Sequence, residues 1–359
     1  MKIIHCSDIH LGASMQTHLS KEQAEQRKDE LLATFIRMVD YAKRNDIHSI
    51  LIAGDLLDTD NGGLKTRNVL IDLITNSSDI DFYYLCGNHD ENSLLLRGAE
   101  LPANLKIFGN TWTSFDLGVV VVTGAILGDN NFPLYQSLNL DPKRFNIVVL
   151  HGGDVRGNDY NTPDTVNIDA LKHKNIDYLA LGHLHSFRQG RVDERATYAY
   201  SGCLEGRGFD ECGQKGFILL DIQSNNLTST FVPFARRTLE EVKIDISECN
   251  SAHDLKQLVD KSVENISRDS LLRIVFVGFY NENTQKYLNL VVQDIQSKFY
   301  FVQTKDKTKP KLDLSKYQHD ISIAGEFVRS VKESNLSQEE QDKIIILGLR
   351  ALNGEEVEL

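Results

Sequence analysis

Two hydrophobic periodicities alternate along the first part of the chain. Short, nearly continuous apolar runs at Lys2–Cys6, His48–Ala53 and Phe82–Cys86 read as buried strands. Between them, Ser20–Arg44 places Leu31, Leu32, Phe35, Met38 and Val39 at helical spacing, with Ser20 as its cap, and Leu64–Thr75 reads as a second helix. Strands alternating with helices predict a sheet covered by helices. The next runs, Val119–Thr123, Ile147–Leu150, Tyr178–Leu181, Thr197–Tyr200 and Phe217–Ile222, lack long helices between them. They predict a second sheet packed on the first, an α/β sandwich.

The pattern changes near Pro233–Arg237. Strands at Val242–Ile246, Leu272–Gly278 and Phe299–Thr304, with helices at Ala252–Ser267 and Thr284–Gln296, predict a small βαβαβ-like unit. A basic, linker-like stretch follows at Lys305–Lys311, then amphipathic helices at Ile321–Glu333 and Gln338–Leu352. The domains expected are 1–235, 238–304 and 313–359. No internal repeat is visible.

With 359 residues, 41 % hydrophobic and 25 % charged, the chain is globular in composition rather than disordered or collagen-like. No run approaches the roughly 20 apolar residues that span a bilayer. The first residues enter a strand pattern with no signal-peptide character, and five scattered cysteines form no CxxC pair. A reduced, cytoplasmic setting is expected. The net charge of −12 argues against a passive nucleic-acid coat, which needs a basic surface. From Arg236 onward 18 basic and 21 acidic residues give −3, so −9 lies before it. That acidity is compatible with bound cations, which invert the local field.

Five short segments carry the chemistry: Asp8-Ile9-His10, Gly54-Asp55-Leu56-Leu57-Asp58, Gly87-Asn88-His89-Asp90, His151-Gly152 and Gly182-His183-Leu184-His185. Each follows an apolar run and so sits where a strand ends, the usual ligand-binding edge of open α/β sheets. Residues at i and i+2 in extended backbone point the same way, which lets Asp8 join His10 and His183 join His185. Taken singly, each segment has an ordinary explanation: an incidental polar pair, a Gly-Asp turn, an Asx turn or a half-buried histidine. Five in succession at strand ends do not. The donors mix imidazole, carboxylate and carboxamide without thiolate, a set suited to divalent Mn, Fe, Zn, Co or Ni. Seven candidate donors exceed one centre and match two that share a carboxylate, about 3.5–4 Å apart.

This set resembles the calcineurin-like metallophosphoesterase superfamily over roughly residues 1–235. The resemblance implies one metal on Asp8, His10, Asp55 and His185. It implies a second on Asp55, Asn88, His151 and His183, with Asp55 bridging. His89 would be the catalytic non-ligand, and Asp58 the carboxylate that orients it. Two ions, manganese first among those named, would clamp phosphate oxygens and acidify water, while His89 protonates the leaving oxygen.

The flanks are similar to SbcD-type bacterial DNA double-strand-break nucleases. Cys6-Ser7-Asp8-Ile9-His10-Leu11-Gly12 opens that way. Tyr200-Ser201-Gly202-Cys203-Leu204-Glu205-Gly206-Arg207 and Gly213-Gln214-Lys215-Gly216 resemble the stretch that closes the site, with Ser201 and Cys203 in place of the more usual Pro and Asn. Ile321–Arg329 and Ile344–Gly354 resemble the C-terminal helices of the YhaO-type branch. The resemblance implies a metal-dependent DNA nuclease with a capping domain that presents DNA. It further implies C-terminal helices that dock on the coiled coil of an SbcC/YhaN-type ABC ATPase, and a homodimer.

Phe327, Val328, Val331, Ile344, Ile345, Ile346 and Leu349 give the tail helices apolar faces, which either meet that partner or pack back on their own domain. Arg207, Lys215 and Arg97 are candidate phosphate contacts. The lysines of 305–311 either track a DNA backbone or are solvated. Two other readings stay open: a phosphodiesterase for a small ester such as a cyclic nucleotide, and a scaffold without catalysis.

Overall fold

A computed structural model describes residues 1–359 except 16–17, 59–63, 88–100, 158–163, 225, 281, 311–313, 353 and 355–359. The chain divides into two compact units. One comprises Met1–Val242, Asn265–Arg273 and Lys298–Gln303, the other Lys243–Glu264, Ile274–Ser297 and Thr304–Leu359.

In chain order the structure runs β1 (Lys2–Cys6), α1 (Lys21–Arg44), β2 (Ser49–Ala53), α2 (Leu64–Thr75), β3 (Asp81–Leu85), β4 (Leu105–Ile107), β5 (Thr113–Asp116), β6 (Val120–Gly124) and α3 (Phe132–Ser137). It continues with β7 (Phe145–His151), β8 (Gly153–Val155), β9 (Thr165–Asn167), β10 (Tyr178–Gly182), β11 (Arg188–Arg191), β12 (Thr197–Tyr200), β13 (Gly216–Gln223) and β14 (Asn226–Pro233).

Two six-stranded sheets result, ordered β14-β13-β1-β2-β3-β4 and β11-β12-β10-β7-β6-β5. Strands β1 to β4 are mutually parallel, as are β6, β7, β10 and β12, and antiparallel strands complete each sheet. The fold is an α/β sandwich. Side-chain alternation along each strand builds its layers. In β1, Ile3 joins Leu51, Leu85, Val122, Ile147 and Val149 between the sheets. Ile4 and Cys6 face the other way, onto Leu31, Phe35 and Met38 of α1 and Leu70 and Ile74 of α2. The outer face of the second sheet, with Val148, Leu150, Leu179 and Leu181, is covered by Tyr135, Leu138 and Leu171.

Helix α1 starts where expected. The Ser20 hydroxyl accepts from the Gln23 N–H at 3.2 Å, and the Gln23 side chain accepts from the Ser20 N–H, a capping box. One assignment is corrected: the strand read at Phe217–Ile222 belongs to the first sheet, not the second. As β13 it pairs antiparallel with β1 and closes the β1 edge that β2 leaves open. Its alternation serves both layers, with Phe217 toward the helices and Ile218 and Leu220 between the sheets.

Further on lie β15 (Leu239–Asp245), α4 (Ala252–Ser262), β16 (Leu271–Val277), β17 (Phe279–Tyr280), α5 (Glu282–Gln296), β18 (Phe301–Asp306), β19 (Lys309–Pro310), α6 (Ile323–Lys332) and α7 (Gln338–Leu352). β15, β16 and β18 form a three-stranded sheet in that order. Helix α4 ends five residues earlier than its apolar pattern implies, with Val263 as C-cap donating its N–H to carbonyls of the last turn. The stretch read as a linker is partly strand: Lys305 lies in β18, and Lys309 and Pro310 pair with Phe279 and Tyr280. Lys311 lies outside the described residues. Helices α6 and α7 pack on one another, with Gly348 close against the Phe327 ring; Val328 and Ile345 are buried, whereas Ile321, Ile323 and Ile344 are exposed. Among the described residues no helix is long and apolar enough to cross a membrane.

Candidate metal centre

The loops that leave β1 and β2 run side by side and lock to one another through the backbone. The Asp8 N–H donates to the Gly54 carbonyl at 3.1 Å, His10 N–H to Asp55 at 2.9 Å, and Leu11 N–H to Leu56 at 2.9 Å. Asp8, His10 and Asp55 all adopt positive φ, near 50°. Such backbone is uncommon outside glycine and costs about 1–3 kcal/mol where it persists. Here it turns three donors toward one point at the carboxyl ends of the strands. The second sheet supplies His151, the last residue of β7, and His183 and His185, just past β10.

Six of the expected donors converge. One oxygen or nitrogen each from Asp8, His10 and His185 lies within 4.8 Å of the others, as does one each from Asp8, Asp55 and His151. His10 Nε2 is 3.3 Å from His185 Nε2 and 3.7 Å from Asp55 Oδ2, and His151 Nε2 is 3.4 Å from the same Asp55 oxygen. The His183 ring meets the His151 ring edge-on, centroids 5.5 Å apart, and its backbone N–H donates to both Asp8 oxygens at 2.9 and 3.1 Å. Asn88, His89 and Arg97 lie outside the described residues. Asp58 follows on the same loop as Asp55, with its N–H donating to Leu11.

Two glycines make the convergence sterically feasible. A Cβ on Gly182 would overlap the Ala53 carbonyl oxygen and crowd His151 Nδ1, and one on Gly87 would overlap the Asp55 carboxylate. Only a residue without a side chain lets the loops approach this closely.

The electrostatics favour a cation. Burial pushes the Asp8 carboxyl above its usual range, against the opposing pull of His151, His185 and the Ser7 hydroxyl, which donates to Asp8 at 2.5 Å. Burial alone would strip the His151 proton. Its hydrogen bond to Asp55 and the charges of Asp8 and Asp55 prevail and raise it to about 9. His183 is lowered, by burial and then by the charge of His151. Two buried acids therefore call for positive charge at their centre, and without an ion the raised His151 supplies part of it. The residues fit divalent metal ions.

Sequence reasoning missed the residues that hold these rings. His151 Nδ1 donates to the Ala53 carbonyl at 2.9 Å, which leaves Nε2 toward Asp55. His185 Nδ1 lies 2.7 Å from Glu211 Oε1. Arg207 and Lys215 lie beneath this arrangement. Both are buried, Arg207 paired with Glu211 at 2.8 Å and the Lys215 ammonium donating to the His185 carbonyl at 2.7 Å. Ser201 Oγ sits 2.9 Å from Ser7 Oγ, behind Asp8. The local hint was position: Ser201, Arg207 and Lys215 fall in the segments 200–207 and 213–216 that follow β12, and Glu211 lies between those segments. On the far side Glu205 is buried against Arg27 at 3.0 Å and Thr34 at 2.8 Å, tying the first segment to α1.

This geometry coincides with a family match. Residues 1–187 fit the calcineurin-like phosphoesterase family, and the chain belongs to it. It is a metallophosphoesterase with candidate ligands for the dinuclear site that family uses. Among curated proteins it is 27 % identical over 298 residues to the uncharacterized metallophosphoesterase YhaO of Bacillus subtilis, covering 77 % of this chain and 72 % of that one. It is 25 % identical over 394 residues to the SbcD component of the nuclease SbcCD of Staphylococcus epidermidis, covering 96 % and 97 %. A DNA double-strand break repair protein of Sulfolobus acidocaldarius is 24 % identical over 285 residues, 75 % of this chain and 72 % of that one.

Proposed function

We propose that the protein is a dinuclear-metal DNA nuclease of the SbcD/YhaO type that acts in DNA repair with a coiled-coil ABC ATPase. The observation that carries this reading is the convergence of Asp8, His10, Asp55, His151, His183 and His185 at one strand-end edge. Similarity to the SbcCD nuclease component along nearly the whole chain supports DNA as substrate. In this reading Asp8, His10, Asp55 and His185 hold one ion. Asp55, Asn88, His151 and His183 hold the other, and Asp55 bridges. Two divalent ions, manganese first, would neutralise charge on the phosphate oxygens and acidify a water. His89 donates the proton to the leaving oxygen, Asp58 orients it, and Arg97 meets phosphate. Residues 238–304 present DNA, 313–359 dock the ATPase, and the protein works as a cytoplasmic homodimer.

The test is Mn-dependent degradation of linear double-stranded DNA, compared with bis-p-nitrophenyl phosphate and cyclic nucleotides. Chelation should abolish hydrolysis. His89→Ala should keep metal binding and lose most turnover. Hydrolysis of the small esters with none of DNA, even with the ATPase present, would overturn the nuclease reading in favour of a small-substrate phosphodiesterase. Deletion of 313–359 should abolish co-purification with the ATPase, and unchanged binding would refute docking through the tail.

A further inference from the structure

His185 is held at both ends by residues with no place among the metal donors. Its backbone carbonyl accepts from the Lys215 ammonium at 2.7 Å and from the Cys203 N–H at 3.3 Å. Its ring faces Glu211, which is 3 % exposed. That carboxylate is itself immobilised: Oε1 accepts from Arg207 Nη2 at 2.8 Å and Nε at 3.2 Å, and Oε2 accepts from the Arg207 backbone N–H at 2.7 Å. Arg207 Nη2 also lies 3.1 Å from His185 Nδ1. Once Nδ1 carries a proton both are donors, so the two share Glu211 as acceptor rather than bond to each other.

The consequence is a choice of tautomer. A neutral imidazole that donates from Nδ1 presents the Nε2 lone pair, and here Nε2 points at His10 Nε2. The opposite tautomer would turn an N–H into the site, where it cannot ligate. A carboxylate acceptor also makes the ring a stronger donor than a neutral carbonyl does. At His151 the acceptor facing Nδ1 is the neutral Ala53 carbonyl. Four sequence positions separate Glu211 from Arg207, and 26 separate it from His185, so the pair reaches the ring from a loop outside the donor motifs.

We propose that Glu211, clamped by Arg207, is the positioning residue that holds His185 as an Nε2 metal ligand and makes its half of the centre the tighter one. This rests on His185 being a ligand, as in the function proposed above. The test uses the full chain with Glu211→Gln and Glu211→Asp. The first removes the charge. The second keeps the charge and withdraws it from the ring. Long-range ¹⁵N–¹H NMR of histidine-labelled, metal-free protein, with His185 assigned through His185→Gln, reads the tautomer without metal or substrate. The wild type should show His185 protonated on Nδ1, and both variants should show a mixed tautomer.

Titration with Mn(II) alone should give two sites in the wild type. In the variants the tighter one should weaken by about 10- to 100-fold and the other stay unchanged. A merely structural role would weaken both together and leave the tautomer alone. His185 still on Nδ1–H in both variants, with both Mn affinities within about twofold of wild type, would overturn the proposal. Absence of two-site Mn binding in the wild type would instead overturn the dinuclear reading, while the tautomer result still decides the role of Glu211.

Discussion

The two sheets share one plan, four parallel strands completed by antiparallel ones, yet they bring different chemistry to their common edge. The first delivers both carboxylates, Asp8 and Asp55, and the second delivers His151, His183 and His185. The means of holding them differ as well. The acids sit on left-handed backbone in two loops laced together by main-chain hydrogen bonds. Two of the imidazoles are aimed by an acceptor on Nδ1, the Ala53 carbonyl for His151 and Glu211 for His185. Two buried negative charges repel one another and resist desolvation, so side-chain contacts alone would not keep them there. A neutral ring needs only its proton placed. The division is not complete: His10 is an imidazole carried on the carboxylate side with the same strained backbone, and His183 also adopts positive φ, near 105°.

The largest effect should come from removing a charged donor. Asp55→Ala is expected to cut phosphodiester hydrolysis by about a thousandfold or more, and His183→Gln by less, measured as kcat/KM at saturating Mn. Equal losses would erase the contrast between the two sides. The next effect concerns how closely the sheets approach. Gly182→Ala places a Cβ against the Ala53 carbonyl and His151 and should cost about 2–3 kcal/mol by urea unfolding. A neutral result would mean the sheets can slide apart freely.

A third test reads the interface between the sheets through pH. His5 of β1 is fully buried and bonded to the Tyr178 hydroxyl of β10 at 2.9 Å. Burial, partly offset by the Leu181 backbone, lowers its pKa from 6.5 to about 3. The unfolded chain therefore takes up a proton that the folded one refuses. The stabilisation is complete well above pH 6.5 and declines as the pH falls through it toward about 3, by about 1.4 kcal/mol per unit at most. His5→Phe should flatten the slope of unfolding free energy between about pH 5.5 and 4.5 by that amount, and an unchanged slope would refute a neutral buried His5. The smallest effect is expected of Ser201→Ala. It removes the hydroxyl behind Ser7 and Asp8 and should cost about 1 kcal/mol of stability, with Mn affinity nearly unchanged by titration.

Legibility followed the range of the interaction. The capped helix α1, the buried β1, β2 and β3, and the donor loops that follow them are local patterns of apolar period, cap and glycine, and all are visible in the chain. β14 was not, because its side chains alternate between exposed and half-buried with little apolar signal. β13 was visible as a strand but not as a partner of β1, because pairing across more than 200 residues leaves no local trace. Arg207 and Lys215 looked like phosphate contacts by their nearness to the site loop. Burial turned both inward, toward Glu211 and the His185 carbonyl.

The order of residues thus determined which side chains stand at the strand ends and that their chemistry suits a metal, since strand periodicity and donor chemistry are both short-range. Only the tertiary structure decided how those donors face one another and which buried groups set their protons. Such contacts depend on where distant loops meet, and nothing in a local pattern encodes that meeting.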